Sequence, residues 1–153
     1  TMIKVNVLSE EKSWNRKLKK SEIFFNRLCK LFPKKFRFPN KKTYLTLLLS
    51  NNKKIKKLNK KFRKKNKTTD VLSFRFDQNP KYLKEVYLGD IIISYNYMNK
   101  PKSLSNYDFR EKVCKIFIHG FLHLLEFDHI KEKDYKIMVK EEQKIFKSVK
   151  KFI

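Results

Sequence analysis

The sequence predicts a single α+β domain, in which strands in the first part of the chain form a sheet with helices on its outside. The chain has 153 residues, which is enough for one hydrophobic core, and no internal repeat divides it. Its 14 Phe and 7 Tyr indicate a folded protein despite 35% charged residues, because a disordered chain of this charge would lack the aromatic residues. We therefore expect residues 1–153 to form one unit.

The first part of the chain alternates between short strand patterns and longer helix patterns. Residues 3–7 alternate apolar and polar side chains, as in a half-buried strand, and residues 43–49 form a second strand rich in Leu. A first helix is predicted for residues 12–32, and Asn51 or Asn52 is expected to cap a shorter helix. The residues predicted to face inward are Trp14, Leu18, Ile23, Phe24, Leu28 and Leu31 on the first helix, and Ile55, Leu58 and Phe62 on the second.

A basic loop, two strands and two helices are predicted for the rest of the chain. The loop is the run KKFRKKNKTT at residues 60–69, and residues 77–86 are expected to connect the two strands near a hairpin. The strands are predicted at residues 71–76 and 87–94, and the helices at residues 108–125 and 132–151. The last helix is expected to pack through Tyr135, Met138, Ile145 and Val149.

Positive charge is concentrated in one stretch of the chain. The net charge is +24, and residues 23–69 contain 17 Lys or Arg and no Asp or Glu. An A/T-rich genome would account for part of the lysine content, but not for the absence of acids over these 47 residues. Such a face favours a polyanion as partner, nucleic acid first and an anionic membrane second. The residues expected to bind nucleic acid are Lys60, Lys61, Arg63, Lys64 and Lys65.

The sequence favours a cytoplasmic location with no membrane partner. No apolar run reaches the length of a transmembrane helix, and no signal-peptide pattern opens the chain. The two isolated cysteines, Cys29 and Cys114, do not form a disulfide framework, so a reducing compartment is expected. We interpret Cys114, which precedes the first histidine by five residues, as a core residue rather than a metal ligand.

All three histidines of the chain lie within the run IHGFLHLLEFDHI, at His119, His123 and His129. On a helix, His119 and His123 lie one turn apart on the same face, because they are four residues apart. His129 cannot share that face, so the chain must leave the helix near Glu126 or Phe127 and present His129 from a loop. Three neutral imidazoles leave the fourth position of a tetrahedral zinc open, as in catalytic sites. We therefore predict one Zn²⁺ at the end of this long helix.

The same spacing occurs in the ligand string of zinc metalloproteases, but one part of that string is missing. The residue after the first histidine is Gly120, where a metalloprotease carries the Glu that serves as general base. Peptide hydrolysis by that route is therefore disfavoured. Gly120 and Gly89 are the only glycines of the chain, and inside a helix Gly costs about 1 kcal/mol relative to Ala. We expect a close approach of a strand, a substrate or another helix at Gly120.

Three segments of the chain together resemble the YbeY family of zinc-dependent endoribonucleases. The run HGFLHLLEFDH is similar to the family signature HGxLHLxGYDH. Residues 58–74, LNKKFRKKNKTTDVLSF, resemble the family block LNxxYRxxxxxTDVLSF, and residues 88–94, LGDIIIS, resemble its LGDI strand. The last helix has Met138 and Glu142 at the spacing of a Met and a Glu that follow the ligands in the family. The resemblance covers most of the chain from residue 45 to residue 145.

This resemblance implies a compact domain with a four-stranded mixed sheet and helices around it. It also implies zinc bound by the three histidines and activity on single-stranded RNA in ribosomal RNA maturation, with the ribosome or ribosomal proteins as further partners. The family's arginine falls on Arg63, which is expected to face the scissile phosphate beside the metal. Its acidic residues fall on Asp90 and Asp128, which are expected to orient a histidine ligand. For Asp128, a turn or cap role is equally compatible with the sequence.

One departure from the family pattern affects the turn after the long helix. The family has Gly where this chain has Glu126, and that Gly would supply a positive φ as the helix ends. A Glu in the left-handed conformation costs about 1 kcal/mol. Either the turn is made differently here, or Glu126 has a local role.

Three functions are compatible with these residues. In an endoribonuclease, zinc polarises the phosphate and Arg63 stabilises the developing charge. The motif contains no obvious general base, and the attacking group is either zinc-bound water or the RNA 2′-hydroxyl. In a ribosome-associated binding protein, the zinc is structural and the basic face binds rRNA without cleavage. A hydrolase of a small phosphate ester or amide is disfavoured, because a small substrate does not require a 47-residue stretch without acids.

Overall fold

The structure, a computed structural model, describes residues 3–38, 40–77 and 84–153. Its strands are β1 (Ile3–Ser9), β2 (Lys42–Ser50), β3 (Val71–Arg75) and β4 (Glu85–Ser94). Its helices are α1 (Ser13–Lys17), α2 (Ser21–Lys30), α3 (Asn52–Arg63), α4 (Tyr95–Met98), α5 (Asn106–Leu124) and α6 (Glu132–Val149), with a 3-10 helix at Lys34–Phe36. The predicted α+β class is confirmed.

The strands form one mixed sheet in the order β1-β2-β4-β3. β1 pairs with β2 and β2 pairs with β4 in parallel, whereas β3 pairs antiparallel with β4 and forms one edge of the sheet. Parallel neighbours need a crossover, and α1 and α2 lie within the crossover from β1 to β2. The antiparallel pair agrees with the hairpin-like connection expected at residues 77–86, although residues 78–83 lie outside the described ranges.

The two faces of the sheet are covered differently. On one face, Leu47 and Ile91 belong to the main core together with Phe117 of α5. On the other face, Ile55 of α3 packs with Ile92 and Leu72 in a smaller cluster. α3 contacts β3 and β4, so it covers only part of this second face. Helix α5, which carries His119 and His123, and the basic helix α3 therefore lie on opposite sides of the sheet.

The helix predicted at residues 12–32 is wrong in one respect, because it is divided into α1 and α2. α1 ends at Lys17, and Lys20 has a left-handed backbone with a φ of 52° before α2 begins. The break resets the helical phase, so Phe25 and Cys29 face the core. Of the predicted apolar face, Trp14, Leu18 and Leu28 are buried, Phe24 is partly buried, and Ile23 and Leu31 are exposed.

The helix predicted to carry Phe62 and the predicted basic loop overlap at residues 60–62, and the structure assigns these residues to the helix. Asn51 caps α3, since its side chain accepts a hydrogen bond from the backbone N–H of Lys54 at 3.0 Å. α3 then continues to Arg63, so residues 60–63 of the predicted basic loop are helical, as suits the high helix propensity of Lys and Arg. Phe62, predicted to face inward, is 60% exposed. The other predicted element ends differ from the observed ones by one or two residues.

Both glycines lie where a side chain would collide with a neighbouring strand. Gly89 has a φ of 140°, and a Cβ there would lie 2.1 Å from the carbonyl oxygen of Phe74. A Cβ on Gly120 would lie 3.0 Å from Cγ2 of Ile91 and 3.1 Å from Oγ of Ser73. α5 therefore crosses close to β3 and β4, and the close approach of a strand expected at Gly120 is confirmed.

No helix within the described ranges is long and apolar enough to cross a membrane.

Candidate metal centre

The way in which α5 ends determines where the third histidine lies. The N–H of Phe127 donates to the carbonyl of Leu122 at 3.0 Å. The N–H of Glu126 donates to the carbonyl of His123, also at 3.0 Å. This pair of hydrogen bonds is the Schellman arrangement, which terminates a helix and reverses the chain. His129 then follows in a loop, as the sequence predicts.

The three imidazoles face one another at the end of α5. Nε2 of His119 and Nε2 of His123 are 3.1 Å apart. One ligand atom from each of the three rings, that of His129 included, lies within 4.8 Å of the others. Two nitrogens bound to one tetrahedral zinc at about 2.05 Å are roughly 3.3 Å apart. The spacing of the first two nitrogens is therefore close to the spacing that a shared ion requires.

Hydrogen bonds hold the outer nitrogens of two of these rings. Nδ1 of His119 lies 3.2 Å from Oε1 of Glu142, and Nδ1 of His123 lies 3.0 Å from the carbonyl oxygen of Phe127. A carboxylate and a carbonyl only accept, so both Nδ1 atoms carry the proton. Each Nε2 then presents a lone pair, and two lone pairs at 3.1 Å repel each other unless a cation lies between them. These hydrogen bonds therefore orient both rings for metal binding.

The surroundings of His123 favour the neutral form of its imidazole, which is the form that can bind a metal ion. Burial lowers the pKa of His123, and electrostatic repulsion from the neighbouring His119 lowers it further. A metal ligand must be a neutral imidazole, so the lowered pKa reduces the competition between protons and the metal.

The donor set fits a zinc ion that keeps an open position. Imidazole nitrogen is a preferred zinc ligand, and the cluster found among the described residues contains three ligands and no fourth. Cys114 is buried in the core, as expected, and does not belong to this cluster. The fourth position is left for water or substrate.

Glu126 keeps the left-handed backbone that the family glycine would adopt. Its φ is 73°, which costs about 1 kcal/mol for a residue that has a Cβ. Its carboxylate forms an ion pair with Arg75 at 2.9 Å, and Arg75 also contacts Asp77 at 2.9 Å. All three side chains are exposed, so the ion pairs offset the backbone cost only in part. The turn is thus preserved, and Glu126 also joins it to the end of β3.

Arg63 lies beside the edge strand β3, at the end of α3. Its Nη2 donates to the carbonyl of Ser73 at 2.7 Å, and its guanidinium carbon lies 5.4 Å from the centre of the Phe74 ring. The hydroxyl of Ser73 donates to the carbonyl of Gly120 at 3.0 Å. Gly120 stands next to the first ligand, His119. Contacts through Ser73 therefore connect Arg63 with the segment of α5 that carries the histidine cluster.

The two acidic residues predicted to orient a histidine occupy different places. Asp90 lies on the α3 side of the sheet, where its carboxylate accepts a hydrogen bond from the hydroxyl of Tyr87. Within the described part of the chain, no contact joins Asp90 to a histidine. Asp128 accepts a hydrogen bond from the backbone N–H of His129 at 2.7 Å, which is a local contact within the loop. The carboxylate contact expected from Asp90 or Asp128 is found instead at Glu142.

Glu142 was noted in the sequence only for its spacing after the ligands, with no role assigned to it. It follows Met138 by four residues on α6, and Ile145 and Val149 continue the same helical stripe. These three apolar residues are buried. A carboxylate on an otherwise apolar helical stripe is unusual. This pattern in the sequence could have identified Glu142 as a candidate site residue.

Glu142→Gln is expected to lower the affinity for zinc by about 10- to 100-fold, because the amide cannot supply the negative charge that raises the basicity of His119. Competition with a chromogenic chelator measures this affinity. Glu141→Gln is the matched control, since the adjacent Glu141 pairs with Lys35 at 2.8 Å rather than with a histidine. Equal zinc affinities for the two variants would contradict the role of Glu142.

Comparison with known proteins identifies the family of this chain. The model described as Endoribonuclease YbeY matches residues 6–150. The chain belongs to the YbeY family. The resemblance inferred from the three sequence segments is therefore confirmed.

Several relatives in the YbeY family carry the name Endoribonuclease YbeY. The relative from Pelagibacter ubique (strain HTCC1062) is 61% identical over 151 residues, which cover 97% of each chain. The relative from Persephonella marina is 35% identical over 109 residues, or 71% of each chain. A solution structure of a Thermotoga maritima protein matches with a TM-score of 0.57 and 22% identity, covering 97% of this chain and 91% of the other. At that identity, the solution structure supports the fold alone.

Proposed function

We propose that this protein is a zinc-dependent endoribonuclease, specific for single-stranded RNA, that acts in ribosomal RNA maturation. The observation that carries the proposal is the cluster of three imidazoles with one ligand position left over. Membership of the YbeY family, whose relatives are named endoribonucleases, supports RNA as the substrate. The acid-free basic stretch of the chain supports the same conclusion.

His119, His123 and His129 would hold the zinc. When bound, zinc polarises a phosphoryl oxygen and lowers the pKa of bound water toward about 7. Glu142 and the carbonyl of Phe127 keep two of the rings oriented with their protonated nitrogens outward. The exposure of His129 leaves the site open to a polymeric substrate.

Arg63 is the group proposed to bind the scissile phosphate. The carbonyl of Ser73 and the ring of Phe74 position its guanidinium, so part of its rotational freedom is already lost before RNA binds. The remaining N–H groups can bind two phosphate oxygens at once. Charge that builds on the phosphate as the bond breaks is then stabilised by the guanidinium.

The lysines around Arg63 are the proposed binding surface for the RNA backbone. These exposed residues are Lys60, Lys61, Lys64 and Lys65. The buried residue Asn59 orders the loop after α3: its carbonyl accepts the N–H of Lys65 at 3.2 Å, and its side-chain amide donates to the carbonyl of Lys67 at 3.0 Å. A row of cations fixed in this way suits the backbone of a single strand.

RNA affinity is expected to fall steeply as salt rises, with log K linear in log salt and a slope of about −0.7 per phosphate contacted. Replacing Lys60, Lys61, Lys64 and Lys65 by Gln should flatten that slope by up to about 3. Fluorescence anisotropy with labelled single-stranded RNA measures the slope. The control removes the same number of charges at the exposed residues Lys19, Lys147, Lys150 and Lys151. Identical slopes for the two quadruple variants would reject this surface.

Single-turnover cleavage tests the function against the alternative of an rRNA-binding factor with structural zinc. Zinc-loaded protein is expected to cut an end-labelled single-stranded fragment of rRNA and to leave the same sequence intact as a duplex. His123→Ala, purified in parallel, is expected not to cut. If the zinc-loaded protein binds the RNA but does not cleave it, the result would favour the rRNA-binding factor. Equal cleavage by both preparations would indicate a contaminating nuclease and remove the support for the enzyme.

A further inference from the structure

The second face of the sheet contains a groove that the proposed reaction does not use. It lies beside α3, is lined by residues of all four strands, and has a volume of about 490 Å³. This volume falls in the range of about 300–1,000 Å³ found for small-molecule sites. Leu8 and Phe62, which line it, are 58% and 60% exposed. Exposed apolar side chains around one groove mark a binding surface.

The floor of the groove consists of two rows of side chains that run across the strands. One row is apolar, and the other contains a carboxylate. Leu8, Leu48 and Ile92 are aligned across β1, β2 and β4. In the next row, Thr46 and Phe74 flank Asp90 from the two neighbouring strands. Asp90 therefore lies among aliphatic and aromatic side chains, whereas the other charged residues that line the groove, Glu10 and Lys54, pair with each other at 3.8 Å.

The carboxylate of Asp90 is held in a fixed orientation. The hydroxyl of Tyr87 donates to its Oδ1, and the hydroxyl of Thr46 lies 2.7 Å from that of Tyr87. Burial and the hydrogen bond to Asp90 raise the pKa of Tyr87 to about 12, so its proton is retained at neutral pH. The second oxygen, Oδ2, accepts no hydrogen bond from any residue within the described ranges. Asp90 can therefore still accept hydrogen bonds from a molecule in the groove.

The rim of the groove combines aromatic rings with cations. Nζ of Lys61 lies 5.2 Å from the centre of the Phe62 ring, and Phe62 packs edge-on against Phe74 with ring centres 5.5 Å apart. Rings and cations of this kind bind the bases and phosphates of a single strand. A carboxylate repels phosphate but accepts hydrogen bonds from the amino and imino groups of a base. Asp90 therefore suits a base edge rather than the backbone.

We propose that this groove binds one unpaired guanine of the RNA, with the base against Phe62 and its Watson–Crick edge on Asp90. Guanine presents two adjacent donors on that edge, N1–H and the N2 amino group, which match the two oxygens of one carboxylate. Adenine, cytosine and uracil offer no such pair of donors. That the ligand is RNA rests on the proposed function. The proposal adds base selection by a site next to Arg63.

The test compares three short oligoribonucleotides that differ at one position, which carries guanosine, inosine or adenosine within a uridine background. Inosine lacks only the N2 amino group. Affinities of the zinc-loaded protein are measured by anisotropy, within the time for which a gel shows the oligonucleotide to be intact. The guanosine oligonucleotide is expected to bind about tenfold more tightly than the inosine one, because one hydrogen bond to a charged acceptor is lost.

Two variants assign the effect to the groove. Asp90→Asn is expected to remove the difference between guanosine and inosine, because an amide offers only one acceptor atom. Phe62→Ala is expected to lower the affinity for both by between about fivefold and a hundredfold, as stacking on one aromatic ring is lost. Tyr107→Ala removes an exposed aromatic ring at the start of α5. It is expected to change neither the RNA affinity nor the difference between guanosine and inosine. Thermal midpoints verify that each variant is folded.

Equal affinities of the wild-type protein for guanosine and inosine would overturn the proposal. That result would leave the proposed function intact, because cleavage of RNA does not require base selection. Unchanged RNA affinity in Phe62→Ala would also overturn it and would leave the groove for an apolar segment of a protein partner. Failure of the wild-type protein to bind any of the oligonucleotides would count against the proposed function as well.

Discussion

His123→Ala should lose bound zinc and unfold at a temperature roughly 10 °C below that of the wild-type protein. Free zinc at about a thousandfold over its Kd stabilises the folded state by about 4 kcal/mol, because the unfolded chain has no preformed site. In a domain of this size, each kcal/mol shifts the midpoint by about 2–4 °C. Removing the imidazole also leaves Nε2 of His119 without its neighbour 3.1 Å away, so the ligand pair at the centre of the site is lost.

Chelation provides the control for this prediction. The wild-type midpoint is expected to fall when a chelator removes zinc, and the midpoint of His123→Ala is expected to be insensitive to both zinc and chelator. Elemental analysis of the purified proteins measures the metal directly. Stoichiometric zinc in the variant would show that His123 is not a ligand.

Arg63→Ala is expected to lower the cleavage rate by about two to three decades, because it removes a preorganised donor from the charged transition state. RNA affinity should fall much less, since the neighbouring lysines share the contacts with the backbone. Zinc content should be unchanged, because Arg63 is not a ligand and its link to α5 among the described residues runs through Ser73. Arg63→Lys is expected to restore part of the rate, as an ammonium cannot reproduce the planar two-point contact of guanidinium with phosphate.

The adjacent Lys64→Ala is the matched control for Arg63. Both residues are exposed cations of the same basic run, but Arg63 alone of the two is hydrogen-bonded to β3. Rates are measured under single-turnover conditions with saturating protein, so that differences in affinity do not enter. If the two variants cleave at the same rate, Arg63 is one more solvated cation and has no catalytic role.

The sequence was informative where a feature depends on nearby residues. The spacing of His119 and His123 places them on one helical face whatever surrounds the helix. The loop that carries His129 was also predictable, because six residues cannot return a side chain to the same face. Glu126 stands at a position where the family has glycine, and the sequence left open whether the turn is kept; the φ of 73° shows that the left-handed backbone is retained.

Element boundaries were less predictable where tertiary contacts compete with local preference. The periodicity of residues 12–32 is compatible with one helix, yet Lys20 adopts a left-handed backbone and divides it. Trp14 is then fully buried, and its indole N–H donates to the carbonyl of Ser50 at 2.9 Å. Burying this large ring with its donor satisfied stabilises the broken arrangement.

By itself, the sequence determined the α+β class, the family and the three histidines, because these depend on residue type and spacing along the chain. Only the tertiary structure decided which carboxylate contacts His119, where Asp90 lies and what positions Arg63. Glu142 is 23 residues from His119, and Arg63 contacts a strand ten residues away. Whether a strand residue such as Asp90 points toward α5 or toward α3 depends on register and on which helix covers each face of the sheet. Those relations are set by packing between distant segments, which the spacing of residues along the chain does not encode.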